Sequence, residues 1–505
     1  MTTVNQKIGI LIQRTRQQRN ITQADLAKLI GTSQSAINRI EHGKQNLSLE
    51  TIARISDALD KQLMKVSDSV SLRIHGGKEL HGAIEVNTSK NAAVHLLCAS
   101  LLNSGTTRLK KVARIEEVFR IIEVLQSIGV DVKWHGADLE IKPPKKLDLT
   151  NLNADSARKT RSIIMFLGPL MHLSHQFEIP YAGGCKLGKR TIQAHSYALN
   201  ELGLNIETAN ETYQITANPR KALRPIVMYE SGDTATTNIL LAAAKTPGKT
   251  IIKMASANYM VQDICLYLRE LGVQIDGIGS TTLTVHGVSH INKSVTYSPS
   301  EDPVEAMTFI AAAVTTNSSI LVRRAPIDFL ELELLKLEKM GLKFDVSAAY
   351  SADNGYTQLV DVRIFKHNGS LQALADKIDS RPFPGLNIDH LPYFVPIAAT
   401  AHGRTLIHDW VYENRAIYYT ELTKLGADIE LADPHRAFVT GPTKWRPTDM
   451  VCPVALRPAV INLIGMLAAP GVSVLRNIYT IARGYEDIAE RFNSLGADIE
   501  VIHDL

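Results

Sequence analysis

The sequence predicts an α/β protein with a body of six repeats in two lobes of three, preceded by a small all-α domain. One observation is a signature of helix, glycine and alternating strand that occurs six times in the body. A second is that residues 1–62 lack proline and show only helical periodicity. A third is a composition of 45% hydrophobic and 21% charged residues, which is ordinary for a protein with buried cores. Fibrous and disordered classes are therefore not expected.

The first 62 residues predict a small basic helical domain. They contain nine Lys or Arg against five Asp or Glu, and this surplus of four equals the net charge of +4 of the whole chain. Thr22 followed by Asp25 is an N-cap pattern, and Gly31 ends that helix before Ser33 begins another over about 34–42. Two helices joined by a short turn with glycine indicate a helix-turn-helix. A basic head on a neutral body favours a polyanionic partner.

The head resembles the Cro/C1-type helix-turn-helix of phage repressors. The matching pattern is Thr22-Gln23-x-x-Leu26-Ala27-x-x-x-Gly31-x-Ser33-Gln34-Ser35-x-Ile37-x-Arg39-x-Glu41-x-Gly43. The resemblance implies that residues 1–62 bind DNA, with contacts from Gln23, Gln34, Ser35, Asn38 and Arg39. The alternative is a helical module used for self-association, in which these polar side chains are only solvated. Heads of this type commonly bind twofold sites as pairs, so an oligomer is compatible with the sequence.

The body signature places a glycine between each helix and the strand that follows it. The intervals between successive glycines are 74, 69, 69, 85 and 70 residues, for Gly129, Gly203, Gly272, Gly341, Gly426 and Gly496. Such a glycine can adopt positive φ just after a helix, which lets an alternating strand start at once. A second helix is predicted in most copies, at about 238–244 and 306–314 in two of them, before a strand such as 249–252. Helix–glycine–strand junctions are common in α/β proteins, but the near-constant spacing argues against coincidence.

Four segments follow from these patterns. Residues 1–65 are the predicted helix-turn-helix domain, and 66–89 are a linker with the first strands, which join the second lobe. Residues 90–298 and 299–505 are the two predicted lobes, each of three repeats. Six compact units in two lobes suggest a cleft between the lobes, where a ligand would bind.

The sequence also indicates the cellular compartment of the protein. The polar start from Met1 to Lys7 is unlike a secretory signal, and no apolar run reaches the roughly 18 residues of a membrane span. Four cysteines without a C-x-x-C pair favour a reducing compartment and disfavour structural zinc. We therefore expect a cytoplasmic protein with no membrane segment and no metal site.

Two segments carry the candidate chemistry. Gly183-Gly184-Cys185-Lys186-Leu187-Gly188-Lys189-Arg190 places a thiol among three glycines and three cations. Glycines let backbone amides face an anion, and nearby cations lower the pKa of a thiol and raise its reactivity. The second segment is Ser89-Lys90-Asn91-Ala92-Ala93, which taken alone predicts a capped helix start with a solvated lysine.

Together these segments resemble the enolpyruvyl transferase family, in its UDP-N-acetylglucosamine branch, from about Leu72 to Ile502. Further matching residues are Arg161 before Leu167-Gly168-Pro169-Leu170, then Glu413-Asn414-Arg415 and Arg483-Gly484-Tyr485-Glu486. The resemblance implies two inside-out α/β barrel lobes of three repeats each. It also implies transfer of the enolpyruvyl group of phosphoenolpyruvate to the 3′-hydroxyl of UDP-N-acetylglucosamine, the first committed step of peptidoglycan synthesis. The family uses no metal and no organic cofactor.

The resemblance also implies roles for individual residues. The implied catalytic group is Cys185, Asp389, Lys90 and Arg483, and the implied substrate-binding group is Lys90, Asn91, Arg161, Arg190, Asp389, Arg457 and Arg483. Within these groups, Lys90, Arg190 and Arg483 would hold the phosphate and carboxylate of phosphoenolpyruvate. Asp389 would lie near the 3′-hydroxyl as the base. Cys185 would be the loop thiol that reacts with phosphoenolpyruvate and is alkylated by fosfomycin.

Three departures from the family pattern leave two functions open. Ala455 stands in Ala455-Leu456-Arg457 where the family has an acid, Ala482 replaces another acid, and Ser231-Gly232-Asp233 matches poorly near the uridine site. One function is an active transferase that carries a DNA-binding head. The other is a transcriptional regulator whose catalytically impaired body senses a cell-wall precursor. A third interpretation, the shikimate-pathway relative, is disfavoured by the Cys185 loop.

Overall fold

The chain divides into two compact units. A computed structural model describes residues 9, 12–13, 15–16, 21–45, 51, 54–55, 58–59, 70–181 and 191–503. One unit comprises residues 1–71 and 501–505, and the other comprises 72–500. We call the first the head and the second the body. In the described part of the chain, no helix is both long enough and apolar enough to cross a membrane.

The head contains the two helices that its sequence predicts, α1 (Gln23–Leu29) and α2 (Gln34–Glu41). Thr22 caps α1 through a capping box, and the Ser33 hydroxyl caps α2. Gly31 has a φ of +68°, which glycine adopts without strain, so the turn between the helices is tight. The apolar side chains of the described residues form one small core: Ile12, Leu26, Ala27, Ile30, Ile37, Ile40, Ile55 and Leu59.

The body places apolar helices inside and small sheets outside. Its α-helices are α3 (Lys90–Ala99), α4 (Glu116–Ser127), α5 (Ala154–Lys159), α6 (Leu167–Leu170), α7 (Gln193–Glu201), α8 (Asp233–Ala244), α9 (Tyr259–Glu270), α10 (Pro303–Thr315), α11 (Glu331–Lys339), α12 (Phe394–Thr400), α13 (Leu456–Ala468), α14 (Tyr479–Ala482) and α15 (Ile488–Ser494). Short 3₁₀ helices span Ser100–Leu102, Leu149–Asn151, Arg161–Phe166, Ile327–Phe329, Leu391–Tyr393 and Ala416–Leu425. Every residue of α10 is buried, because a helix that is apolar on all sides must be covered on all sides.

The strands are short and lie between these helices in sequence. They are β1 (Val70–Gly76), β2 (Ala83–Glu85), β3 (Thr107–Leu109), β4 (Asp131–His135), β5 (Asp138–Lys142), β6 (Gln176–Pro180), β7 (Leu204–Ala209), β8 (Thr212–Ala217), β9 (Ile226–Val227), β10 (Gly248–Lys253), β11 (Gln274–Asp276), β12 (Thr282–Gly287), β13 (Val295–Tyr297), β14 (Ile320–Pro326), β15 (Phe344–Val346), β16 (Tyr350–Ser351), β17 (Gln358–Ile364), β18 (Ile378–Asp379), β19 (Gly403–His408), β20 (Asp428–Asp433), β21 (Arg436–Gly441), β22 (Asp449–Val451), β23 (Gly471–Arg476) and β24 (Ile499–His503). Most alternate between buried and exposed positions, as expected for sheets with one wet face.

The described strands form six separate sheets that fall into two sets. One set has the orders β13-β3-β5-β4, β11-β12-β10-β9 and β6-β8-β7, all between residues 107 and 297. We call this part the first half of the body. The other set has the orders β22-β23-β1-β24, β15-β17-β14-β2 and β18-β19-β21-β20, with β16 beside β17. We call it the second half.

The first two strands of the body pair with the second half. β1 runs antiparallel to β23, with Leu72 opposite Leu475, and β2 runs parallel to β14, with Ile84 opposite Val322. Residues 70–85 therefore tie the start of the body to its end. The lobe boundaries at 90–298 and 299–505 stay predictions.

The six signature glycines have the conformation that their position predicts. All six have positive φ, between +88° and +97°. A helix precedes each glycine and a strand follows it, although the helix before Gly426 is the 3₁₀ helix Ala416–Leu425 rather than an α-helix. The prediction that each signature glycine adopts positive φ just after a helix is confirmed.

The longest interval between glycines has a structural explanation. Residues 347–357 form an excursion between β15 and β17 that includes β16. From it, the Asp353 carboxylate accepts from the Lys111 ammonium group at 2.9 Å, and the Tyr356 hydroxyl donates to Glu270 at 3.3 Å. Lys111 and Glu270 belong to the first half. The extra length therefore supplies contacts between the two halves.

Replacing two of the signature glycines by alanine should separate backbone strain from steric clash. Both Gly129→Ala and Gly203→Ala force alanine into positive φ, for which we expect about 1–2 kcal/mol of destabilisation. At Gly203 the new methyl carbon would also lie 2.0 Å from the Asn218 carbonyl oxygen, whereas at Gly129 its nearest neighbour is Pro144 at 3.5 Å. Gly203→Ala should lower the melting temperature clearly more than Gly129→Ala. Equal losses in thermal unfolding would contradict this difference.

Candidate active site

A cavity of about 580 Å³ in the body brings together most of the candidate residues. Its lining includes side chains of both halves, with six cations and four carboxylates. The cations are Lys90, Arg161, Arg381, Arg415, Arg457 and Arg483, and the acids are Glu117, Glu230, Asp233 and Asp389. The described lining thus has a surplus of positive charge, which suits an anionic ligand.

Lys90 occupies a position that helix stability alone does not favour. It is the first residue of α3, where the positive end of the helix dipole disfavours a cation, and Ser89 caps the helix. Its ammonium group donates to a Glu117 carboxylate oxygen at 2.8 Å, and its side chain is only 10% exposed. The interpretation of Lys90 as a solvated side chain is therefore wrong. A buried, paired lysine beside a cavity indicates a binding role.

Glu117 was not predicted from the sequence. It lies in the first turn of α4, where an acid is ordinarily explained by the helix dipole. Burial by itself would raise the pKa of Glu117, but Lys90, Arg483 and a hydrogen bond from Ser162 outweigh it and lower the pKa to about 2. Glu117 is therefore ionised and pairs with Lys90.

Asn91 and Arg161 also line the cavity. The Asn91 amide donates to the Tyr259 hydroxyl at 3.0 Å, so it is oriented by a neighbouring helix. Arg161 begins the 3₁₀ helix Arg161–Phe166, which Thr160 caps. Both side chains present hydrogen-bond donors to the cavity.

Asp389 lies on the second half, just before the 3₁₀ helix Leu391–Tyr393. Arg457 donates to one of its carboxylate oxygens at 2.9 Å, and Arg415 lies 3.8 Å from the other. Burial would raise the pKa of Asp389, but Arg457, Arg415 and Lys90 together hold it well below its usual range. With this low pKa Asp389 is a weak base, and its basicity would rise if the three cations bound other partners.

Arg457 is the second residue of α13, and Ala455 is the N-cap of that helix. The Arg457 guanidinium also donates to the Tyr485 hydroxyl at 2.8 Å and is almost completely buried. Ala455 is fully buried and has no side-chain group to cap the helix. The acid that the family pattern places here would therefore cap α13 beside Arg457, and this chain lacks it.

Arg483 lines the same cavity from the end of α14. Its charge contributes to the low pKa of Glu117, which places it near the Lys90–Glu117 pair. Lys90 and Arg483, which come from opposite ends of the body sequence, therefore lie together. Cys185 and Arg190 lie outside the described residues.

The described cysteines do not offer a reactive thiol. Cys98, Cys265 and Cys452 are buried, and burial raises the pKa of Cys265 and of Cys452 to about 12. Among the described residues, no group of three or more His, Cys, Asp or Glu side chains is placed to hold a metal ion.

The head presents most of the predicted DNA-contacting residues on one helix. Gln34, Ser35, Asn38 and Arg39 are all exposed on or at the start of α2. Gln23 differs, because it is half-buried and its amide donates to the Glu41 carboxylate at 2.7 Å. Four of the five side chains are therefore accessible, while Gln23 also helps to hold the two helices together.

Comparison with known families gives two matches. A model described as EPSP synthase (3-phosphoshikimate 1-carboxyvinyltransferase) matches residues 74–492, and a helix-turn-helix model matches residues 12–65. Relatives named UDP-N-acetylglucosamine 1-carboxyvinyltransferase are similar to the body. The one from Treponema denticola is 31% identical and the one from Bradyrhizobium diazoefficiens is 30% identical, each over 85% of this chain and 98% and 97% of their own lengths.

Solved structures resemble the body as well. The enolpyruvyl transferase NikO from Streptomyces tendae superposes with a TM-score of 0.74 at 25% identity, over 86% of this chain and 99% of its own. EPSP synthase from Acinetobacter baumannii has a TM-score of 0.66 at 18% identity, over 86% of this chain and 100% of its own, which indicates a shared fold alone. The residues that line the cavity, from Lys90 to Arg483, lie within the range 74–492 that the family model matches.

Proposed function

Because this chain belongs to the EPSP synthase family of carboxyvinyl transferases and carries a helix-turn-helix head, we propose that it transfers the enolpyruvyl group of phosphoenolpyruvate to the 3′-hydroxyl of UDP-N-acetylglucosamine. The 3′-oxygen forms a bond to C2 of phosphoenolpyruvate, and the bond from C2 to the phosphate oxygen breaks. The products are the enolpyruvyl ether and inorganic phosphate, and the proton of the hydroxyl is released.

One observation carries the proposal. Lys90, Arg457 and Arg483, from distant parts of the sequence, line one cavity together with the carboxylate Asp389. Phosphoenolpyruvate bears a phosphate and a carboxylate close together, so its site needs several fixed cations. A transferase also needs a group that takes the hydroxyl proton, and Asp389 is placed among those cations.

Phosphoenolpyruvate would bind by exchanging partners with the cavity acids. Lys90 leaves Glu117 for the phosphate or carboxylate, and Arg483 adds a planar pair of donors that fits either group. Closure of the two halves around the ligand excludes water and strengthens these interactions. Arg190 belongs to the same group by its resemblance to the family, and its neighbour Thr191 lines the cavity.

Binding would also prepare Asp389. In the structure described here its carboxylate is paired with Arg457, and a carboxylate of such low pKa is a weak base. An anion that draws Arg457 away raises the pKa of Asp389 toward the value that proton transfer requires. Asp389 then accepts the proton of the 3′-hydroxyl as the oxygen attacks.

The acceptor assignment rests on relatives rather than on the cavity alone. The relatives at 30–31% identity are named for UDP-N-acetylglucosamine, whereas the EPSP synthase structure is only 18% identical. Asn91 and Arg161 would hold the sugar nucleotide. Cys185, by its resemblance to the family, would be the loop thiol that reacts with phosphoenolpyruvate.

Ala455 supports the second candidate function. With no acid at this position, one carboxylate of the family pattern is missing next to Arg457. The alternative is a regulator in which the body binds a cell-wall precursor without turnover, and the head binds DNA.

A phosphate-release assay with phosphoenolpyruvate and UDP-N-acetylglucosamine tests the transferase. We expect release by the wild-type protein, a loss of about 10²–10⁴-fold in kcat for Asp389→Asn because the base is removed, and loss of activity for Cys185→Ala. Asp433→Asn is the matched control, since this carboxylate pairs with Arg436 on the surface of the second half and does not line the cavity.

Two outcomes of that assay would overturn the proposal. No release by the wild type together with release by Ala455→Asp would favour the regulator. No release by either protein would contradict the assignment of these substrates.

The head is proposed to bind DNA through α2. Its exposed Gln34, Ser35, Asn38 and Arg39 are side chains that bond base edges in a major groove, and the head carries the surplus positive charge of the chain. Recognition helices of this motif lie in the major groove with their first residues on the bases.

Fluorescence anisotropy on a duplex enriched from a random library by the wild-type protein tests this. Arg39→Ala should cost about 1–3 kcal/mol on the selected duplex and less on a random one. Lys28→Ala removes an exposed cation from α1. This variant should weaken binding to both duplexes to a similar degree. Absence of salt-sensitive binding at low ionic strength would exclude a DNA-binding head.

A further inference from the structure

A buried hydrogen-bonded pair, His390 and Glu333, lies next to the cavity residue Asp389. The Nδ1 atom of His390 donates to a carboxylate oxygen of Glu333 at 2.6 Å. The His390 side chain is fully buried and that of Glu333 is 4% exposed. Neither residue lines the cavity, although Asn387, Ile388 and Asp389 do.

Stability of the fold gives little reason for this pair. Polar groups taken out of water cost free energy unless their hydrogen bonds are satisfied. The Nε2 atom of His390 is buried with no hydrogen-bond partner among the described residues, which adds a further penalty. A polar pair kept at such a position indicates a role in placing its neighbours.

Glu333 contacts both ends of residues 387–390, the loop that carries Asp389. The same Glu333 oxygen that accepts from His390 also accepts from the Asn387 backbone amide at 3.2 Å. The Asn387 side-chain oxygen in turn accepts from the Asp389 amide at 2.9 Å. One buried carboxylate from α11 therefore holds residues 387–390 from behind.

The cavity side of the loop is held by arginines. Arg415 donates to the Ile388 carbonyl oxygen at 2.7 Å, and Arg457 donates to the Asp389 carboxylate. These arginines also face the cavity, so an anionic ligand competes for them. Glu333 does not line the cavity, so a ligand bound there does not compete for its contacts with the loop.

We infer that Glu333 is a positioning residue for Asp389 and acts through Asn387 and His390. The inference rests on the proposed function of Asp389 as the proton acceptor. When phosphoenolpyruvate draws Arg457 away, the Glu333–His390 pair keeps the Asp389 carboxylate beside the acceptor hydroxyl. A displacement of about 1 Å at this step is enough to slow the reaction about a hundredfold.

Three variants test the inference with the full-length protein. Glu333→Ala removes the oxygen that accepts from Asn387 and His390. Glu333→Gln keeps a side-chain oxygen at the same distance from the backbone. Asp263→Asn is the control for stability, because Asp263 of α9 is an equally buried carboxylate that accepts from the Tyr297 and Ser300 hydroxyls. Thermal unfolding of each variant shows that it is folded and how much stability it has lost.

We expect Glu333→Ala to lower kcat about tenfold to a hundredfold with the KM for phosphoenolpyruvate changed less than about twofold. Glu333→Gln should retain most of kcat, and Asp263→Asn should retain it at a comparable loss of stability. In Glu333→Ala, Asp389 should also separate from Arg457 in the free enzyme, which raises the pKa of Asp389 and moves the acid limb of the kcat/KM profile to higher pH.

A crystal structure of Glu333→Ala separates failure of this inference from failure of the proposed function. If the wild-type protein releases no phosphate, the proposed function fails, but the variant should still show residues 387–390 displaced and Asp389 beyond hydrogen-bonding distance of Arg457. An unmoved loop in that crystal, or a kcat equal to that of Asp263→Asn, would overturn the role of Glu333.

Discussion

The cavity of the body depends on charges of opposite sign that pair with each other in its wall. Lys90 is paired with Glu117 in the first half, and Arg457 is paired with Asp389 in the second. Buried cations without partners would be strongly destabilising, so the protein supplies internal carboxylates. In the proposed function, an anionic substrate takes the place of these carboxylates.

This exchange links binding to reactivity. The same Arg457 that can contact an anion keeps the pKa of Asp389 low in the structure described here. Under the proposed function, Asp389 becomes an effective base when a ligand engages Arg457. The absence of an acid at Ala455 removes a further carboxylate from the neighbourhood of Arg457, so in this chain Asp389 is its principal anionic partner among the described residues.

Much of the fold follows from the sequence because it depends on local patterns. A helix that stops at a glycine and continues as a strand leaves a pattern at six places, and each glycine has the predicted positive φ. The helix-turn-helix of the head follows equally from its caps and its turn glycine. The contacts between the halves made by residues 347–357 were visible only as a longer interval between two glycines.

The site was predicted less completely, since its electrostatics depend on residues that meet only in three dimensions. Lys90, Arg457 and Asp389 were predicted from family motifs, whereas Glu117 has the sequence pattern of an ordinary acid in a first helical turn. A histidine in an apolar setting such as that of His390 is typically a hydrogen-bonded core residue, and His390 does bond Glu333. Nothing in the sequence indicated that this bond forms behind Asp389, because Glu333 and His390 are 57 residues apart in the chain.

A crystal structure of the full-length protein grown with phosphoenolpyruvate tests the central claim most directly. We predict that the ligand lies in the cavity, that Lys90 and Arg483 bond its anionic groups, and that the Lys90–Glu117 distance exceeds its present 2.8 Å. Phosphoenolpyruvate bound elsewhere, or bound in the cavity with the Lys90–Glu117 and Arg457–Asp389 pairs both intact, would contradict it.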